Sequence, residues 1–149
     1  MLAIAVLFVV LVSCCVSDLC QRRIPNTGCI ATLISCVWLA ASQQQLIEGL
    51  INGGGIFLLS LVLFKFNWLG AGDGKLASAL AVALPTSQLP IAMVLTLMCG
   101  GVLAACYLIK YRLIQQIPRG EDRGLPYGIA ISLGFYIPIL ASHLGETAG

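Results

Sequence analysis

Apolar residues along the chain form long runs, and short polar stretches separate one run from the next. The first run, from Leu2 to Ser17, contains no charged residue and is close to the roughly 20 residues that a helix needs to cross a bilayer. Later runs cover about 27–41, 48–64 and 125–142. The pattern predicts an all-α protein in which each of these runs is a membrane-spanning helix.

The uncharged stretch from Leu76 to Ile109 is too long for one ordinary span. Pro85 and Pro90 bound a polar segment within it, and a proline inside a helix removes a backbone hydrogen bond. We therefore divide the stretch into a short fourth helix and a full fifth helix. The chain is then a polytopic membrane protein with six transmembrane helices.

The first loop ends in a signal for the start of a helix. Pro25 disfavours helical backbone at the residue before it, and Asn26 is suited to cap the helix that follows. The second helix is therefore predicted to begin at about Thr27.

Small residues inside the apolar runs indicate positions where helices pack. Glycines at 49, 53, 54 and 55 predict a smooth face of the third helix on which another helix can lie. The seven cysteines form no Cys-x-x-Cys pair and lie mostly within the runs, so we interpret them as small apolar packing residues.

Composition supports the membrane assignment. Of the 149 residues, 59% are hydrophobic and only 9% are charged, which is outside the range of soluble globular domains. We interpret residues 1–149 as a single membrane-embedded domain surrounded by the lipid bilayer. The formal net charge of +2 arises from short basic clusters between apolar runs, a distribution that argues against binding of nucleic acid.

The basic residues predict an orientation for the helices. All eight Lys and Arg residues fall in the first, third and fifth loops, while the second and fourth loops and both tails contain none. Under the positive-inside rule, the odd-numbered loops are cytoplasmic and both termini lie outside. The eight residues are Arg22, Arg23, Lys65, Lys75, Lys110, Arg112, Arg119 and Arg123.

Two acidic residues, Asp18 and Asp73, border apolar runs on this cytoplasmic side. Two carboxylates that lie close together in a poorly hydrated site tend to share one proton. One of them takes a proton from water while the other donates to a scissile carbonyl, which is the acid and base pair that peptide hydrolysis requires. The sequence contains no Gly-x-Ser-x-Gly or His-Glu-x-x-His motif, and its one histidine, His143, falls on the opposite side.

Each aspartate also has a purely structural interpretation. Asp73 precedes an apolar run and is suited to cap the N-terminus of a helix, while an ion pair with Arg22 would satisfy Asp18. The glycines around Asp73 suit a tight turn or a helix-packing surface, and Lys75 suits an anchor at the membrane interface. Taken singly, each structural interpretation is at least as well supported by the sequence as the catalytic one.

Three segments together resemble one protein family. Residues 70–76 read Gly-Ala-Gly-Asp-Gly-Lys-Leu and resemble the Gly-x-Gly-Asp-x-Lys-Leu (GxGD) motif of the type IV prepilin peptidases. Asp18, followed by Arg-Ile-Pro-Asn at 23–26, is similar to the segment that carries their first catalytic aspartate. Pro-Tyr-Gly-Ile-Ala-Ile at 126–131 is similar to a stretch in the short TadV/CpaA-like branch, which serves tight-adherence (Flp) pili.

The resemblance implies a multi-pass aspartic endopeptidase of the bacterial inner membrane with both termini in the periplasm. Such an enzyme removes the short basic leader from prepilins or pseudopilins on the cytoplasmic side, and its partners are pilus-assembly or secretion machinery. Asp18 and Asp73 correspond to the catalytic pair. The remaining motif residues are assigned to substrate binding or to shaping the loops around that pair: Gly70, Gly72, Gly74, Lys75, Arg23, Pro25 and Asn26.

The resemblance further implies that the reaction uses no cofactor and no metal ion. Longer prepilin peptidases carry a cytoplasmic domain with paired Cys-x-x-Cys motifs and methylate the new N-terminus, whereas this sequence has no such motif. We therefore expect a peptidase without methyltransferase activity.

A non-enzymatic membrane subunit is the alternative hypothesis. In a small transporter or pilus-assembly component, an intramembrane acid would bind a cation or a proton. One aspartate would then dominate and lie near the middle of the membrane, whereas Asp18 and Asp73 fall at the ends of predicted spans. A purely structural partner of a pilus machine, in which neither acid matters to proteolysis, is a third hypothesis.

Overall fold

The computed structural model describes residues 2–21, 23–110 and 125–148, and the regular secondary structure in these ranges is helical. The prediction of an all-α protein is confirmed. The helices are α1 (Leu2–Gln21), α2 (Asn26–Ser42), α3 (Leu46–Lys65), α4 (Ala71–Ala81), α5 (Leu89–Leu108) and α6 (Tyr127–Ala148).

Four of these helices are long and apolar enough to cross a membrane, namely α1, α3, α5 and α6. α2 is apolar but shorter, with 17 residues. α4 has 11 residues, and at the helical rise this gives ~17 Å, about half of a bilayer's hydrocarbon core. The chain is therefore a multi-pass membrane protein, and α4 is too short to cross a bilayer alone.

α4 lies among its neighbours and packs against α2, α3 and α6. Leu76 and Leu80 of α4, and Leu84 just after it, have at most 1% of their surface exposed. Alanines between these leucines are also buried, and their small side chains let the surrounding helices approach closely. Protein therefore replaces lipid around much of this short helix.

Half of the predicted glycine face of α3 packs against α4. A Cβ atom at Gly49 would overlap the carbonyl oxygen of Val82, and one at Gly53 would lie 2.5 Å from Cγ2 of the same valine. A Cβ atom at Gly54 or Gly55 would have no neighbour within 4 Å. Glycine is therefore required by close helix packing at the first two positions, and the last two leave open space beside α3.

α1 and α2 begin or end at other residues than predicted. α1 continues past Asp18 to Gln21, so this aspartate lies in the last helical turn instead of following the helix. α2 has Pro25 as its N-cap, and Asn26 is its first helical residue. The prediction that Asn26 caps α2 is wrong, because its side-chain oxygen accepts a hydrogen bond from Lys75 instead.

The glycine-rich stretch before α4 is more helical than predicted. α3 ends at Lys65 and α4 begins at Ala71, so the connection is confined to 66–70. Gly70 has extended backbone and is the N-cap of α4, and its carbonyl accepts a hydrogen bond from the N–H of Gly74 at 3.1 Å. Asp73 therefore lies within the first turn of α4 and not in a loop.

A polar network, which we call the Asn52 network, ties the turn after α4 to α3. The side-chain amide of Asn52 donates to the carbonyl of Leu84 at 2.9 Å and accepts from the Thr86 hydroxyl at 3.0 Å. The Thr86 N–H donates to a carboxylate oxygen of Glu48 at 2.6 Å. These bonds satisfy backbone groups freed by the predicted break before Pro85.

Candidate active site

Asp18 is a buried acid at the end of α1. Only 7% of the residue is exposed, and its Oδ2 atom accepts a hydrogen bond from the backbone N–H of Gly128 at 2.9 Å. Gly128 lies in the first turn of α6, where backbone N–H groups have no acceptor within their own helix. The start of α6 thus supplies a free amide to the end of α1.

Asp73 lies beside Asp18, in the first turn of α4 and outside the four helices that are long enough to cross the membrane. Burial raises the pKa of the Asp73 carboxyl to about 6, and the nearby Asp18 carboxylate raises it as well. The structure therefore brings together the two acids that the sequence predicted as a pair. Two carboxylates at such a distance favour a state in which one of them is protonated.

Glycines make room for this carboxylate pair. A Cβ atom at Gly70 would lie 2.9 Å from Oδ2 of Asp73, and one at Gly128 would lie 2.8 Å from Oδ2 of Asp18. Both distances are shorter than a real side chain tolerates without movement, so any other residue would displace a carboxylate. Gly70 was identified from the sequence, whereas Gly128 was noted only within a longer segment.

The other two glycines of the motif contact residues other than the acids. A Cβ atom at Gly72 would meet the Ile24 side chain at 3.2 Å, and one at Gly74 would lie 2.7 Å from Cβ of Ser60 on α3. Gly72 and Gly74 therefore let α4 approach the first loop and α3. They support the position of Asp73 without touching its carboxylate.

The segment at 23–26 links α1, α2 and α4. The Ser17 hydroxyl donates to the carbonyl of Arg23 at 2.9 Å. The ammonium of Lys75 donates to Oδ1 of Asn26 at 3.0 Å, which joins the start of α2 to α4. Pro25 contributes as the N-cap of α2. These four predicted residues frame the site, and none of these contacts is with an aspartate.

Ile24 is a residue of the site that the sequence alone did not single out. Its side chain lies 3.1 Å from where a Gly128 Cβ would be, and 3.2 Å from where a Gly72 Cβ would be. It therefore packs between two glycines and places apolar surface next to the Asp18 carboxylate. Its position between Arg23 and Pro25 was the available signal, but an isoleucine in an apolar chain carries little information.

One structural interpretation of the aspartates is wrong, because Gly70 is the N-cap of α4 and no side-chain cap bond forms there. The proposed partner of Asp18, Arg22, lies outside the described residues, as do Arg112, Arg119 and Arg123. Within the described ranges, no cluster of three or more His, Cys, Asp or Glu side chains is placed to hold a metal ion.

A groove of about 560 Å³, which we call the α2/α3 groove, opens beside the site between these two helices, with α4 along its base. Cys29 in its wall lies near both Asp73 and Lys75. The groove therefore adjoins the aspartate pair at one end and the open surface of Gly54 further along. Its lining includes Asn26, Cys29, Leu33, Gly54, Lys75 and Ser78.

Comparison with known families identifies one match. The model of the type IV leader peptidase family matches residues 5–105. That range contains both aspartates and the segments 23–26 and 70–75, whereas Gly128 lies beyond it. No curated protein and no solved structure matches the chain.

Proposed function

We propose, because the chain belongs to the type IV leader peptidase family, that it cleaves the basic leader from type IV prepilins or pseudopilins by aspartic catalysis. The observation that supports this proposal best is the side-by-side burial of Asp18 and Asp73 at the ends of two helices. Burying two like charges together is unfavourable, so a purely structural role gives no reason for the arrangement. A shared proton gives it a chemical use.

The mechanism uses water as the nucleophile. The ionised aspartate takes a proton from a water molecule, whose oxygen attacks the scissile carbonyl carbon, while the protonated aspartate donates its proton to the carbonyl oxygen. The resulting tetrahedral intermediate collapses as the C–N bond breaks, and the proton taken from water passes to the leaving amine. Both carboxyl groups return to their starting protonation, and no covalent enzyme intermediate forms.

The finer topology is part of the proposal. We place both aspartates on the cytoplasmic face of the bacterial inner membrane, with both termini in the periplasm and six helical segments within the bilayer. The distribution of all eight basic residues supports this orientation. The segment at 126–131 supports the TadV/CpaA-like branch, with Flp prepilins as substrates, assembly machinery as partners and no methyltransferase activity.

We place the apolar segment of the substrate, which follows the leader, in the α2/α3 groove. The groove is continuous with the aspartates through Cys29, Asn26 and Lys75, so a chain held between the carboxylates can continue into it. Gly54 leaves space there, and small residues favour the approach of another helix. The leader itself would remain on the aqueous side.

Asp18→Asn and Asp73→Asn, made separately, test the proposal. With a co-expressed prepilin and leader loss scored by mass, each variant should lower the cleavage rate at least ~1,000-fold, because an amide can replace neither the acid nor the base. Glu48→Gln is the matched control, since it replaces an acid of the Asn52 network and should cleave normally.

Membrane insertion of all variants is verified first. If both aspartate variants cleave at the wild-type rate, the carboxylates are not catalytic and the proposal is wrong. If purified wild-type protein cleaves none of several prepilins, the alternative of a non-enzymatic transporter or assembly subunit is favoured. Proton or cation uptake that depends on one aspartate would then identify that subunit.

A further inference from the structure

The two aspartates differ in how the fold holds them. Asp18 is buried, and its Oδ2 atom accepts the backbone N–H of Gly128 at 2.9 Å. Asp73 lies in the first turn of α4, yet no side chain caps that helix. The start of α6 therefore fixes one carboxylate of the pair, and the start of α4 does not fix the other in the same way.

The hydrogen bond from Gly128 restricts where a proton can reside. A backbone N–H can only donate, so the oxygen facing it serves as an acceptor and does not carry a hydrogen directed at the amide. The partial positive charge at the N-terminus of α6 acts on the same oxygen and favours negative charge there. Both effects keep Asp18 ready to accept a proton from water and leave the shared proton to Asp73.

We propose that Gly128 is a positioning residue that holds Asp18 as the general base of the pair, with Asp73 as the general acid. This inference rests on the proposed function and adds to it the assignment of the two roles. It also gives a role to a residue outside the family match, which ends at residue 105.

The site requires glycine at 128 for two separate reasons. The first is space, because a Cβ atom would lie 2.8 Å from Oδ2 of Asp18 and 3.1 Å from Cδ1 of Ile24. The second is the N–H group, which every residue except proline would supply. Two substitutions therefore separate the reasons: Gly128→Ala keeps the N–H and fills the space, and Gly128→Pro fills the space and removes the N–H.

Proline is a suitable probe here because first-turn N–H groups of a helix have no acceptor within that helix. Gly101→Ala is the matched control, since a Cβ atom there would have no neighbour within 4 Å. Cleavage of a prepilin peptide is measured in detergent at several pH values, with each variant compared at equal amounts of folded protein.

We expect Gly128→Ala to lower kcat ~10-fold and Gly128→Pro to lower it ~100-fold, with KM within about twofold of wild type, because the acid moves but the substrate site does not. The acidic limb of the pH–rate profile should move to higher pH in the proline variant, since a carboxylate without its donor binds a proton more readily. Cys29 and Lys75 also lie near Asp73, but thiol and ammonium groups titrate in the alkaline range.

A wild-type kcat in both variants, a loss confined to KM, or an unmoved acidic limb would each overturn the inference. If Gly128→Pro does not accumulate, the kcat and acidic limb of Gly128→Ala decide the question, because the displaced carboxylate should shift both. Failure of the proposed function is distinguishable, since Asp18→Asn and Asp73→Asn would then still cleave. Inactive aspartate variants together with normal Gly128 variants would reject only the role of Gly128.

Discussion

The two ends of α4 bring polar side chains together in opposite ways. At its end, the Asn52 network matches each donor with an acceptor, so that Asn52, Thr86 and Glu48 satisfy one another and the backbone. At its beginning, Asp73 faces a second acid, Asp18, and burial and charge together make its ionised form unfavourable. One end of the helix is complementary and the other is not.

This difference separates stabilisation from chemistry. Matched hydrogen bonds inside a membrane protein stabilise the fold, because polar groups there have little water to bind. A pair of acids costs stability unless one is protonated, and the same shared proton is what acid–base catalysis needs. Changes at the Asn52 network should therefore affect unfolding, and changes at the aspartates should affect the reaction.

The pH dependence of cleavage tests the aspartate end with the largest expected effect. Since the pKa of Asp73 is raised to about 6, this acid keeps its proton up to about pH 6 and loses it above. Because the pair needs that proton, kcat/KM should fall about tenfold for each pH unit above 6, or ~100-fold by pH 8. Thr86→Val should show the same profile, and a rate that rises across this range would contradict the prediction.

Asn52→Leu tests the complementary end. The variant loses two hydrogen bonds and leaves the Leu84 carbonyl and the Thr86 hydroxyl without this partner, so the free energy of unfolding should fall by ~1–3 kcal/mol. Thr86→Val loses one of these bonds and should cost less. Unfolding in detergent measures the loss, and cleavage per folded molecule should stay at the wild-type value. A fall in that value comparable to the aspartate variants would erase the distinction between the two ends.

Gly54→Leu tests the α2/α3 groove and should have the smallest effect. A side chain at Gly54 enters open space in the groove without displacing the protein's own atoms. It should therefore raise KM for a prepilin about tenfold, equivalent to ~1.4 kcal/mol of binding, and leave kcat nearly unchanged.

Gly55→Leu is the matched control for this change. Gly55 is the next residue on α3 and is equally open, but it is not part of the groove lining. Equal KM values for the two leucine variants would mean that the groove does not receive the apolar segment. A rise in KM for Gly54→Leu alone would support the placement.

Local features of the sequence predicted most of the helices and both acids. A run of apolar residues specifies a membrane helix by itself, and a proline interrupts one wherever it occurs in the interior. The break between α4 and α5 followed from Pro85 and Pro90 in this way. Asp18 and Asp73 were identifiable because charged residues bordering apolar runs are rare and need a reason.

The exact helix boundaries and the size of α4 were decided by tertiary packing. The sequence suggested a loop up to Lys75, but α4 already begins at Ala71, because Gly70 caps it and Gly72 and Gly74 let it fit against Ile24 and Ser60. Whether a glycine serves a turn or a close contact depends on its neighbours in space. The neighbours of these glycines come from distant parts of the chain.

The sequence by itself therefore determined the helical membrane architecture and named the two acids, since both depend on the hydropathy and charge of neighbouring residues. Only the tertiary structure decided that Gly128 holds Asp18 and that Ile24 packs beside it. The physical reason is that a backbone N–H has no signature in the sequence, because every residue except proline carries one. Its role appears only when the start of α6 lies against the end of α1.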